Sequence, residues 1–304
     1  MNVHVIIDFM HIYYKYFFRR LNSYLPELSY NGIDTTMIYY PLKDIEEIRK
    51  GLEANGHKVT LSICHDRPSI KKEDSTNEYK AGRQNRLTDE DFNNIDEIRN
   101  ITSLAGHNNY ILDGYEADDL ICNLVSNYKD AFDATLVYTN DKDLFVNIDK
   151  DKKVGIMRYK AATKVRKAGY DLVTFDNFEE YVEHEYGVFI PFNAIALFLS
   201  TAGDSADHIK GINKFGPKAF SKLITKIACT NKIDWSVCGD YNEAENIVNM
   251  CKDHLTDVQF NELMESFKLV KNLELPNKLS FPSNISTVDI RTSAYSKYDM
   301  KSLI

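Results

Sequence analysis

The stretch VHVIID, residues 3–8, is a continuous apolar run that ends in an acid. The pattern recurs in HKVTLSICHD (57–66) and in ATLVYTND (134–141). A short run that is apolar on both faces is what a buried strand of a parallel sheet requires. Helical patterns lie between these runs. An aromatic-rich segment follows residue 8, PLKDIEEIRKGLEANG (41–56) ends in Gly56, and LICNLVSNY (120–128) follows the short apolar NNYILD (108–113). KVGIMRY (153–159) reads as an edge strand. Alternating β and α units imply an α/β fold with a doubly wound, mainly parallel sheet. Ligands of such sheets bind beyond the carboxyl ends of the strands, which is where Asp8, Asp66 and Asp141 fall. Dinucleotide and P-loop readings lack support, because neither glycine-rich phosphate loop is present.

The chain has 304 residues, 43% hydrophobic and 27% charged, the balance of a soluble globular protein. No apolar run approaches the roughly 20 residues that span a bilayer, and the N-terminus lacks the cleavage site of a signal peptide. Five scattered cysteines (Cys64, Cys122, Cys229, Cys238 and Cys251) form no CxxC pair, which suits a reducing cytoplasm. The net charge of −8 argues against a purely electrostatic coat for nucleic acid. The charge is uneven, however: residues 150–170 hold eight basic side chains and one acid, which on composition is a solvated loop. The polar segment 67–109 is long for a connection between neighbouring strands, a mark of functional or mobile insertions. After about residue 175 five helical patterns follow one another, in 175–187, 191–203, 216–228, 241–254 and 256–272. The expected organisation is an α/β part over 1–175 and a helical part over 176–304 packed on the sheet.

GYEADDLICNLV (114–125) puts Glu116, Asp118 and Asp119 within four residues, at the start of a helix. A helix N-terminus favours negative charge by about 0.3–1 kcal/mol per well-placed residue. That accounts for one acid or two, not for three beside strand-end aspartates, because their repulsion grows as water is excluded. Hard divalent cations such as Mg²⁺ turn clustered carboxylates into a binding site. TNDKDLF (139–145) adds Asp141 and Asp143, and GDSADHIKGINKFGPKAF (203–220) adds Asp204 and Asp207 before a Gly-rich turn. Two hard cations roughly 4 Å apart are the usual arrangement for cutting phosphodiesters.

These blocks, in this order, resemble the 5′-nuclease (flap endonuclease) superfamily. IIDF, the strand-end HD followed by EYKAGR, YEADDL, TNDKDL and GDSADHIKGINKFGPKA carry the resemblance over residues 3–225. The chain is most similar to bacteriophage 5′-exonucleases of the ribonuclease H type and to the 5′-nuclease domain of bacterial DNA polymerase I. The resemblance implies a PIN-like catalytic part with a helical arch at about 67–109, and a helix–hairpin–helix motif at about 204–220. It implies two or three Mg²⁺ or Mn²⁺ ions. Asp8, Asp66, Asp118, Asp119 and Asp141 would sit nearest the ion that activates water, with Glu116, Asp143, Asp204 and Asp207 around the other. In the arch, Lys80 would stabilise charge on the scissile phosphate and Tyr79 would stack on a base, with Arg83 beside them. Lys15 stands where many relatives have an arginine. A later arginine of the family is replaced here by Glu73, with Lys71 and Lys72 the nearest cations. In the hairpin, Gly211 and Gly216 would let phosphates approach backbone N–H groups, Lys214 and Lys218 would contact phosphates, and carbonyls would hold K⁺. The implied substrates are branched or nicked duplex DNA with a 5′ flap and RNA–DNA primer ends. The implied protein is a monomer in the host cytoplasm that works with replication proteins and touches no membrane. A PIN-like ribonuclease, an inactive DNA-structure binder and a small-molecule phosphatase are the competing readings.

Overall fold

The computed structural model describes residues 1–70, 86–163, 167–205, 207–233, 235, 241–281 and 286–304. By contact, the described residues of Met1–Pro68, Asn85–Thr139 and Leu275–Ile304 form one unit, and those of Ser69–Gln84 and Asn140–Glu274 a second. The division does not follow the composition shift near residue 175, because the last 30 residues belong with the N-terminal strands.

The first unit holds β1 (Asn2–Asp8), α1 (Phe9–Leu21), the small hairpin β2 (Ser29–Tyr30) and β3 (Ile33–Asp34), α2 (Thr36–Ala54), β4 (Lys58–Cys64), α3 (Asp89–Leu104), β5 (Asn108–Tyr110), α4 (Ala117–Tyr128), β6 (Ala134–Tyr138) and α10 (Val288–Tyr295). Four of its strands pair in parallel in the order β5-β4-β1-β6. Central β1 is covered on both faces, and Val5, Ile6 and Ile7 are fully buried, which is why its sequence shows no alternation. In α1, buried Phe9, Ile12, Tyr13, Tyr16 and Phe17 recur at helical spacing. α2 starts five residues earlier than its pattern suggests, and Pro41 lies inside it rather than at its start. At that depth the ring removes one N–H from the helix ladder.

The C-terminal segment is fastened to this unit at several points. Tyr128 donates to the Leu279 carbonyl at 2.6 Å, and Asn123 accepts from the Leu279 N–H at 3.1 Å. The Phe281 ring meets Tyr128, Phe132 and His4. Further on, Ser286 donates to the Ala105 carbonyl, and Tyr295 donates to Glu46. Glu46 is buried, and Arg49 and His107 also bond it, at 2.5 Å and 2.7 Å. Burial alone would raise the Glu46 carboxyl, but His107, Arg49 and Tyr295 reverse this and hold it down at about 2.

The second unit holds β7 (Val154–Lys160), β8 (Gly169–Val173), α5 (Phe178–Tyr186), α6 (Ile195–Ala202), α7 (Pro217–Asn231), α8 (Tyr241–Met250) and α9 (Asp257–Val270). The five expected helices are all present. β7 has a partner unread in the sequence: β8 pairs with it antiparallel from Ile156↔Val173 to Lys160↔Gly169. Over both units the strand pairing is therefore mixed and mostly parallel, in an α/β fold with a helical C-terminal part. α6 is apolar and buried all round, as a helix at the centre of a helical layer must be. No helix among the described residues is long and apolar enough to cross a membrane.

Candidate metal centre and nucleic-acid interface

Parallel register brings the first group of acids to one edge of the sheet. Asp8 is the last residue of β1 and lies opposite Cys64, the last residue of β4, while Ile7 lies opposite Tyr138 in β6. Asp8 caps α1 by accepting from the His11 N–H at 3.3 Å, and its other oxygen accepts from the Thr139 hydroxyl at 2.8 Å. Asp66, two residues past β4, accepts from the Ala117 N–H at 2.7 Å and so meets the first turn of α4. In that turn Asp119 is fully buried and accepts from the Glu116 N–H at 3.0 Å, while Asp118 is half-buried. Burial pushes the Cys64 thiol well up, and the charges of Asp8, Asp66 and Asp118 push it further. Those three carboxylates are therefore within electrostatic reach of one buried thiol at the end of β4. Thr139 was not singled out in the sequence. Its signal was its place, one residue past β6 and beside Asp8.

The second unit has its own group, built from Asp141, Asp143, Asp204 and Asp207. Asp141 stands three residues past β6, not at the strand end, and accepts from the Asp143 N–H at 2.9 Å. Asp143 is buried, and its Oδ1 has no hydrogen-bond partner. Burial raises its carboxyl well above the usual range, with Asp141, Asp204 and Asp207 adding to the effect and Lys142 opposing it. Lys142 pairs with Asp204 at 3.0 Å. The loop carrying Asp204 and Asp207 is closed by a reciprocal pair of backbone bonds between Asp204 and Ile209, both 2.8 Å.

A buried, unpartnered carboxylate oxygen among three other aspartates fits a hard cation, and an all-carboxylate donor set suits Mg²⁺ or Mn²⁺ rather than a thiophilic metal. Among the described residues, however, no three acidic, His or Cys groups stand ready as a cage. Like charges have no reason to converge until a cation arrives.

Two expectations about nucleic-acid contacts need correction. Lys15 does not offer its ammonium to a ligand: its side chain is 6% exposed and pairs with Asp44 at 2.8 Å, and Tyr138 donates to the same carboxylate. Gly211 is buried, and its N–H donates to Ser266 Oγ at 3.1 Å. Its need for glycine comes from its own chain. With φ at +65°, a Cβ there would lie 2.5 Å from the Thr201 carbonyl oxygen and 2.6 Å from the Gly203 nitrogen. The other hairpin residues are placed as a ligand site needs. Lys214, Gly216 and Lys218 are exposed, and Gly216 caps α7 with open space around its Cα and Pro217 at the first helical position. Lys71, Lys72, Tyr79, Lys80 and Arg83 lie outside the described residues.

The chain resembles known proteins in sequence and in fold. Residues 3–185 match the family described as 5′-3′ exonuclease, N-terminal resolvase-like domain. The chain is 27% identical to DNA polymerase I of Caldicellulosiruptor bescii over 96% of its own length, but spans only 31% of that protein. It is 26% identical to a 5′-3′ exonuclease of Mycoplasmopsis pulmonis, over 91% of this chain and 85% of that one. Among solved structures it shares the fold of the bacteriophage T5 flap endonuclease in complex with DNA and metal ions, with a TM-score of 0.60 at 14% identity, covering 97% of this chain and 92% of that one. The T5 5′-exonuclease with bound zinc superposes similarly, with a TM-score of 0.57 at 14% identity, covering 99% and 98%.

Proposed function

Because the chain belongs to the 5′-3′ exonuclease family, a family of phosphodiester hydrolases, we propose that it is a metal-dependent, structure-specific 5′→3′ exonuclease and flap endonuclease. The observation that carries this reading is that Asp8 ends β1 opposite the last residue of β4, while Asp66, just past β4, accepts from the Ala117 N–H in the first turn of α4, the turn that carries Asp118 and Asp119. Bound Mg²⁺ or Mn²⁺ would supply Lewis-acid activation of water and of the scissile phosphate. The acids of the first unit, Asp8, Asp66, Glu116, Asp118 and Asp119, would hold one ion, and those of the second, Asp141, Asp143, Asp204 and Asp207, would hold another. Thr139 and the Ala117 N–H orient Asp8 and Asp66 for that task. In-line hydrolysis leaves a 5′-phosphate and a 3′-hydroxyl.

On the same reading Lys80 stabilises charge on the phosphate, Tyr79 and Arg83 hold the strand, and Lys71 or Lys72 takes the phosphate contact made elsewhere by an arginine. Gly216, Lys214 and Lys218 grip the duplex, with K⁺ on carbonyls of the turn. The substrates are 5′-flapped, branched or nicked duplexes and RNA–DNA primer ends met in replication.

The test is a gel assay on a 5′-labelled flap duplex in Mg²⁺, in Mn²⁺ and in chelator, with Asp119→Asn alongside. The expected result is metal-dependent release of short fragments near the junction, lost in Asp119→Asn while DNA binding persists and weakens steeply with salt. Tight binding with intact DNA under all three conditions would leave a structure binder and overturn the proposal.

A further inference from the structure

We propose that Lys142 is the resident counter-ion of the second acid group, and that a divalent cation binds there only by displacing its ammonium from Asp204. The inference rests on the two-metal reading and goes beyond it by naming what occupies one metal position beforehand. Two observations carry it. Lys142 Nζ lies 3.0 Å from Asp204 Oδ2, and both side chains are largely withdrawn from water. Asp143, immediately after Lys142 in the chain, keeps a buried oxygen without a hydrogen-bond partner. The group therefore holds a cation on one carboxylate and an unmet need for a donor or cation on another.

An ammonium and a divalent ion cannot share Asp204 without strong repulsion, since like charges that touch one carboxylate lie only a few ångströms apart. The lysine stem is flexible and its head is a point charge, so it can leave, which a fixed guanidinium fork does less readily. In the first group Asp8 accepts instead from neutral donors, the Thr139 hydroxyl and the His11 N–H. These orient the carboxylate and do not compete with a cation for charge. The second group should thus load by exchange of one cation for another. Lys142 is a positioning residue in this scheme, acting through Asp204.

The test is calorimetric titration of the full-length chain with Mn²⁺ alone, without DNA. Lys142→Met should bind one class of Mn²⁺ several-fold more tightly than wild type, because the ion no longer has to break a partly exposed ion pair, with the other class unchanged. Lys142→Gln should behave alike and guards against a folding defect peculiar to Met. Lys142→Arg, which keeps the charge, should stay within about twofold of wild type. In an Asp204→Asn background Lys142→Met should add less than about twofold, since the partner it blocks is gone. If wild type binds Mn²⁺ but Lys142→Met and Lys142→Gln bind no more tightly, the counter-ion role is wrong and the two-metal reading stands. If wild type binds no Mn²⁺, both fall.

Discussion

The two groups of acids are built by different means. In the first unit each carboxylate sits where a regular element ends, at the close of β1, just past β4 or in the opening turn of α4, and is held by backbone N–H groups and one threonine hydroxyl. In the second unit the carboxylates stand on irregular chain, one of them buried with an unpartnered oxygen and another held by a lysine. The lesson is that secondary structure can preorganise charge cheaply at strand ends and helix starts. Away from them the chain uses a mobile counter-ion and tolerates a carboxyl that resists ionising.

The contrast yields a graded set of expectations. The largest effect is on activity: Asp118→Asn should lower the single-turnover rate on a flap duplex by more than the roughly hundredfold typical of losing an outer hydrogen bond. Next is stability in the second unit. Gly211→Ala forces a Cβ against two backbone atoms at positive φ and should cost at least about 2 kcal/mol in urea unfolding. Gly216→Ala, with open space, should lose only the cap preference of glycine, under about 1 kcal/mol, and weaken duplex affinity.

Acid should weaken the first unit. His4 and His65 are buried and neutral, and burial pushes them down to about 3 and about 4. The unfolded chain takes up their protons near pH 6.5, so their contribution is whole above that pH and is lost as pH falls toward the folded values. Between pH 7 and pH 5 each should remove about 2 kcal/mol. Glu46, held at about 2, is present above its unfolded value and adds a further loss below about pH 4.5. Equal urea midpoints at pH 7 and 5 would refute this.

Smaller still, Thr139→Val leaves one Asp8 oxygen without its hydroxyl and should weaken Mn²⁺ binding about tenfold. The smallest effect has the opposite sign. Asp143→Asn removes a buried carboxyl that resists ionising and should raise the melting temperature of the chelator-treated protein, by about 1 kcal/mol of added stability. The same variant should lose the part of the Mn²⁺ stabilisation that comes from the second group.

Periodicity and composition revealed much of this architecture. Three apolar runs ending in acids predicted β1, β4 and β6 and the edge at which Asp8 and Asp66 stand, and YEADD marked the start of α4. The residues that escaped are those whose roles depend on partners far away in sequence. Nothing near Gly211 tells that its N–H goes to Ser266, 55 residues on, or near Lys15 that Asp44 takes its charge. The C-terminal segment shows no motif, yet its residues pack on distant ones: Tyr295 reaches back to Glu46 and Phe281 to His4. β8 escaped because GYDLV is short and follows a basic run that reads as loop.

The most direct test of the account is a count of bound Mn²⁺ by electron paramagnetic resonance in wild type, Asp118→Asn and Asp204→Asn. If each acid group holds its own ion, wild type binds at least two, each variant loses one, and the two losses differ in affinity class. A single ion abolished by either substitution, or a count unchanged by both, would contradict the assignment of a separate ion to each group.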